Sequence, residues 1–112
     1  MQVFAEGKPL LDTTTKLING DVDINTLTKE GNFFVKSSTI NHFPANYQDQ
    51  WYFLNVVSPI DADKIKQTVT PDATDRYNWI LVRTGTKNYD GSVNWYDWLI
   101  LDFSSGKLFH SK

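Results

Sequence analysis

Hydrophobic and polar positions alternate with a period of two along most of this chain, the spacing of strands whose two faces meet different surroundings. Strand signal falls at 32–37 (NFFVKS), 50–57 (QWYFLNVV), 78–84 (NWILVRT), 95–103 (WYDWLILDF) and 107–110 (KLFH), with continuous apolar runs at 79–82 and 98–101. In the first of these, Phe33 and Val35 share one face, and Phe34 and Lys36 the other. The 50–57 run is aromatic and β-branched and apolar on both faces, which predicts a central strand. Ser58 and Pro59 offer a helix start. The alternation of Ile65, Gln67 and Val69 with Lys64, Lys66 and Thr68 favours a strand there instead. Helix shrinks to a single turn near 21–31, capped by Asp23 or Asn25, with Leu27 as its expected inward anchor and Gly31 at its end. The fold class is mainly β: a small antiparallel β-sheet, meander or sandwich, with short helical turns.

The segment 76–103 organises the rest. It holds three of the four tryptophans and three of the five tyrosines, and reads as a long hairpin with a polar tip at 85–94. Asp90 and Gly91 supply turn chemistry at that tip. Strict alternation places Trp98, Ile100 and Tyr96 on the core face unless a bulge intervenes, and leaves Trp95 facing outward. Arg83 is expected to pair across the hairpin with Asp97 or Asp102. The competing placement for Trp95 is against Trp79 or Trp51.

Composition narrows the function classes. The 112 residues predict one domain, and 40% hydrophobic residues with 14% aromatics suffice for a core. A net charge of −2 lacks the basic balance of a nucleic-acid binder. The apolar runs are too short to insert in a membrane, and no secretory signal follows Met1. The absence of cysteine removes disulfides, thiol catalysis and thiolate metal sites. Segment 1–20 reads as a lead-in and assembly element, with Leu10 and Leu11 its apolar anchors, and 21–112 as the β domain proper.

Candidate chemistry is sparse. Asp90, Asp97 and Asp102 are the only carboxylates placed for glycosidase work, and turn or solvent roles account for them better. No Gly-x-Ser-x-Gly elbow accompanies His42 or His110, so no enzyme is expected. The two histidines lack ligand spacing, and Asp61-x-Asp63 does not continue into a calcium loop, so no metal or other cofactor is expected. Glycan binding is the chemistry that remains. Rings pack on sugar C–H faces while amides, carboxylates and guanidinium groups hold hydroxyls. Tyr89, Asp90, Asn94 and Trp95 at the tip, with Arg83, form the candidate ligand-binding set.

One family resembles this order of signals. Asp23-x-Asn25-x-Leu27-Thr28-x-x-Gly31-x-Phe33-x-Val35, then Pro44, Phe53-Leu54-x-Val56-Val57 and Ile65-x-Gln67, closing with Ile80-x-Val82-Arg83-Thr84-Gly85 and Trp95-x-x-Trp98, are similar to the pyocin knob domains of phage tail fibres. The chain has Phe34 where that pattern has tyrosine, and 63–78 aligns only loosely with it. The resemblance covers about 21–103. It implies a knob-like β domain of a virion tail or baseplate protein, made without a signal peptide and released by lysis or encoded by a prophage. It further implies a homotrimer that contacts the rest of the tail and attaches to host cell-surface polysaccharide. A spacer or trimerisation knob with no ligand of its own is the alternative.

Overall fold

The computed structural model describes residues 4–5, 8–9, 14–36, 40–44, 47, 51–103 and 106–111. The predicted β class is what forms. β1 (Phe4–Ala5) and β2 (Lys8–Pro9) make a small separate ladder. The main sheet is built from β3 (Lys16–Asn19), β5 (Gly31–Lys36), β7 (Tyr52–Val57), β8 (Lys64–Pro71), β9 (Trp79–Lys87), β11 (Trp98–Asp102) and β12 (Lys107–Ser111). Its order is β12-β11-β9-β8-β7-β5-β3, with β10 (Val93–Trp95) pairing the far end of β9. The meander from β5 to β12 is antiparallel throughout. β3, inside the segment read as a lead-in, adds to β5 in parallel, so the sheet is mixed. Leu10 and Leu11 lie outside the described residues.

Alternation sorts the strands into two faces. Val35, Tyr52, Leu54, Val56, Ile65, Val69, Leu81 and Ile100 are buried on one face. Cross-strand pairing lines them up in rows, such as Phe33–Leu54–Val69–Leu81–Ile100. Over this face lie the parallel pair β4 (Val22–Asp23) and β6 (Ile40–Asn41), one 3₁₀ turn at Ile24–Thr26, and the loop carrying Phe43 and Tyr47. Asp23 caps the turn as expected, its carboxylate accepting from the Asn25 amide at 3.0 Å. The inward anchor differs from expectation: Ile24 is buried and Leu27 only partly so. A turn of three residues points one side chain into the core, and the capping geometry selects the residue after Asp23. Phe43 stacks on Tyr52 and Trp98 at 4.7 and 5.7 Å, and Tyr47 on Trp79 at 5.1 Å.

The opposite face has no second layer among the described residues. Leu17, Phe34 and Phe53 run in register across it, with Leu17, Trp51 and Phe53 exposed. Phe34 touches both Phe53 (4.8 Å) and Trp51 (6.2 Å), and the Lys36 ammonium sits 4.7 Å over the Trp51 ring. β7 is central as predicted, yet only one of its faces is interior.

The β9 hairpin contains the feature that controls the site. Trp95 pairs Gly85, but Leu99 pairs Val82, so 96–98 holds one more residue than the strand opposite. That is a β-bulge, and it brings Trp95 and Trp98, three residues apart, onto the same face. Trp95 therefore packs inward and Tyr96 is 55% exposed, the reverse of what strict alternation gives. Gly85 makes the room: a Cβ there would meet Val93 Cγ1 at 2.7 Å, Asn94 O at 2.9 Å and Trp95 Cε3 at 3.0 Å. Gly85→Ala is expected to destabilise the domain by about 1–3 kcal/mol through this overpacking, measured as a lower thermal or urea midpoint.

Candidate functional site

The five residues singled out from the sequence occupy two different places. Tyr89, Asp90 and Asn94 are at the hairpin tip, whereas Arg83 and Trp95 belong to a buried cluster under the 3₁₀ turn.

At the tip the turn is closed by Asn88 N–H to Ser92 O at 2.8 Å and Gly91 N–H to Asn88 O at 3.1 Å. Gly91 adopts a positive φ of 89°, which the turn requires. Asp90 Oδ1 accepts from both the amide (3.0 Å) and the hydroxyl (2.6 Å) of Ser92. These hydrogen bonds hold its carboxyl below the usual carboxylate value. Asn94 and Asn88 exchange longer side-chain hydrogen bonds of 3.3–3.4 Å. Asp90 and Asn94 are thus engaged in shaping the turn, and Tyr89 alone projects fully into solvent. Beside it stands an equally exposed Ile60. The two line an open groove of about 650 Å³ together with Asp61, Asp63, Lys87 and Asn88. Lys87 fastens the groove's floor, its amide donating to Asp63 O (2.7 Å) and its ammonium to Pro59 O (2.8 Å). Ile60, Asp61 and Asn88 were not legible as site residues, since 27 positions separate Asp61 from Asn88 and only the β8–β9 pairing joins them.

The second place is interior. Arg83 is 6% exposed, with its guanidinium 4.0 Å from the Trp95 ring and 4.4 Å from the Trp98 ring. Its Nε donates to Gln67 Oε1 at 2.9 Å, and Gln67 Nε2 donates to the carbonyls of Ile24 (2.8 Å) and Leu27 (2.9 Å). Gln67 and Arg83 are direct cross-strand neighbours. The expected partners lie elsewhere: Asp97 is exposed on the bulge, and Asp102 accepts from the Tyr47 hydroxyl at 3.0 Å. Asp97 precedes the inward Trp98 and so faces outward while Arg83 points in, and Asp102 pairs Trp79, four positions along β9 from Arg83. Burial lowers the Arg83 pKa to about 10, with Asp23 acting in the other direction, so the group stays cationic at neutral pH. Two ring contacts to a desolvated guanidinium contribute roughly 2 kcal/mol or more.

Asp23 joins the cluster through His42, whose Nδ1 lies 2.7 Å from Asp23 Oδ1. His42 has φ +64°, and its carbonyl accepts the Trp98 indole N–H at 3.3 Å. Burial pushes the Asp23 carboxyl up, but the His42 and Asn25 hydrogen bonds and the charges of His42 and Arg83 together hold it below its ordinary value of 3.8. Asn25, His42, Phe43, Arg83, Trp95, Tyr96, Asp97 and Trp98 line an open cavity of about 280 Å³. Arg83 Nη2 and Asn25 Oδ1 are buried and find no partner among the described residues.

No match was found for this chain among protein-family models, curated proteins or solved structures. Function must be argued from geometry. No group of three His, Asp or Glu side chains converges to hold a metal ion among the described residues, and no helix there is long and apolar enough to cross a membrane.

Two outcomes follow from the buried network. Gln67→Leu leaves Arg83 Nε and two carbonyls unpaired in the interior and is expected to cost about 2–4 kcal/mol of stability, measured by urea unfolding. The lowered Asp23 pKa means its contribution is present above the ordinary carboxylate pKa and lost as pH falls through the lower folded value. Asp23→Asn should therefore flatten the acid limb of a stability-versus-pH profile below about pH 5 while also lowering stability at neutral pH.

Proposed function

We propose that this domain is a non-enzymatic attachment module, of the phage tail-fibre or receptor-binding type, that engages a bacterial cell-surface glycan through the end of its sheet. The observation that carries the reading is the fully exposed Tyr89 ring in one open groove with the carboxylates of Asp61 and Asp63. An exposed ring flanked by hydrogen-bonding oxygens and amides matches a sugar, with its apolar C–H face and polar rim. The groove is shallow and open, suited to one or two rings of a surface polymer. A few weak sites of this kind gain strength when several copies act together on one particle. The virion setting rests on the order of motifs from Asp23 to Trp98.

A second reading is an assembly knob or spacer whose partners are copies of itself in a homotrimer and the rest of the tail. The uncovered sheet face bearing Leu17, Trp51 and Phe53 favours it. Contiguous exposed aromatics of this kind commonly mark association surfaces.

Retention on isolated cell-wall polysaccharides from a panel of bacterial species separates the two readings. The wild-type domain is expected to be retained, and Tyr89→Ala to weaken retention about tenfold, the value of one aromatic contact. A wild-type domain that is not retained, yet runs as a trimer by light scattering, supports the knob instead.

A further inference from the structure

We propose that the outer face of the main sheet, opposite the covered core, is a track for a linear, neutral polysaccharide lying across the strands. Strand pairing sets Asn32, Asn55, Thr68, Val82, Leu99 and His110 side by side in one row from β5 to β12. Alternation turns this row away from the buried Leu54, Val69, Leu81 and Ile100. Two open grooves meet on it. The lining of one, about 180 Å³, includes Asn32, Asn55, Thr68, Thr70 and the Phe53 ring. The lining of the other, about 690 Å³, includes Val82, Thr84, Leu99, Asp97, His110 and the Tyr96 ring. Thr68 and Val82 are direct cross-strand neighbours, so the grooves run end to end. From Asn32 to Leu99 the row crosses four strand spacings, about 19 Å at about 4.8 Å each. That is too long for one sugar ring and suits several.

The chemistry of the floor selects the occupant. From Asn32 to Leu99 it carries amides, a hydroxyl and methyl groups and no ionisable side chain, and Asp97 and His110 enter only at the β11–β12 end. A nucleic acid would need a basic floor. A peptide adds to a sheet through free backbone groups at an edge, whereas β5, β7, β8 and β9 are paired on both sides. Sugar hydroxyls both donate and accept, which suits Asn and Thr side chains. Asn55 Nδ2 donates to Asn32 Oδ1 at 2.7 Å, which leaves Asn32 Nδ2 as a donor and Asn55 Oδ1 as an acceptor on two exposed residues of the floor. Rings border both halves of the track. Phe53 is 48% exposed and rests on Phe34 at 4.8 Å. Tyr96 is 55% exposed yet held: its amide donates to Thr84 O at 2.9 Å, and its hydroxyl lies 3.0 Å from Thr86 Oγ1, which accepts from Lys64 Nζ at 2.9 Å. An exposed ring already fixed in place loses little freedom when a sugar stacks on it. This rests on the glycan reading but stands on residues separate from Tyr89, so each can fail alone.

The test is a titration of the ¹⁵N-labelled chain with cello-, malto- and N-acetylchito-oligosaccharides, each as dimer and hexamer. At least one hexamer is expected to shift the Asn32 and Asn55 side-chain amide resonances saturably and to bind about tenfold tighter than its dimer. Asn55→Ala, which removes a floor amide, and Thr68→Glu, which puts a charge at the middle of the track, should each weaken that binding about tenfold with amide spectra otherwise like the wild type. Tyr89→Ala should leave the hexamer titration unchanged even where cell-wall retention falls. The assignment is overturned if no hexamer gives a saturable shift, if a dimer binds as tightly as its hexamer, or if Asn55→Ala and Thr68→Glu both keep the wild-type affinity. It is overturned too if the floor amides shift on dilution of the protein alone, which puts a second copy on this face. Cell-wall retention lost in Tyr89→Ala but kept in both floor variants removes this track and leaves the tip site standing.

Discussion

The stacked guanidinium of Arg83 is the contact on which the rest of this fold depends. A cation on the core face of a sheet is costly unless its charge and its donors are answered locally. Here the rings of Trp95 and Trp98 both lie within 4.4 Å of the guanidinium carbon, and Gln67 accepts from its Nε. Gln67 in turn reaches two carbonyls at the 3₁₀ turn, so one polar chain joins β8, β9, the bulged hairpin and the covering layer. An apolar pair at these positions would pack, but it would not select which turn carbonyls sit above which strand. The polar chain supplies that register.

The bulge and the cation need each other. Without the extra residue among 96–98, Trp95 and Trp98 would stand on opposite faces, and only one ring could reach Arg83. Gly85 permits the close approach of Trp95, and the Trp98 indole ties to the His42 carbonyl, where the chain adopts positive φ. Opening this wall toward solvent creates the cavity beside Asn25, while the outward turn of Tyr96 and Asp97 forms its rim. The hairpin tip is governed by different forces, local turn hydrogen bonds from Asp90 and Asn88, and Lys87 ties it to the 58–63 loop through Ser58 and the Pro59 carbonyl.

Much of the strand content was legible because burial on one face imposes a period of two that no loop imitates. The inward set Ile65, Gln67 and Val69 and the outward set Phe34 and Lys36 followed directly. The cap at Asp23 was also legible, being a contact between near neighbours in sequence. Of the candidate site, Tyr89 kept its expected exposure, whereas Arg83 and Trp95 moved into the interior and Asp90 and Asn94 into the turn.

By itself the sequence determined the β class, the positions of the main strands from β5 to β11, the turn at Asp90 and Gly91 and the aromatic richness of the hairpin, because each is a local preference. Only the tertiary structure decided that one extra residue near Asp97 exchanges the faces of Trp95 and Tyr96, that Arg83 answers Gln67 rather than a carboxylate, and that β3 adds in parallel. A bulge changes hydrogen-bond register between two strands, and register is a property of the pair. No single run of residues carries it.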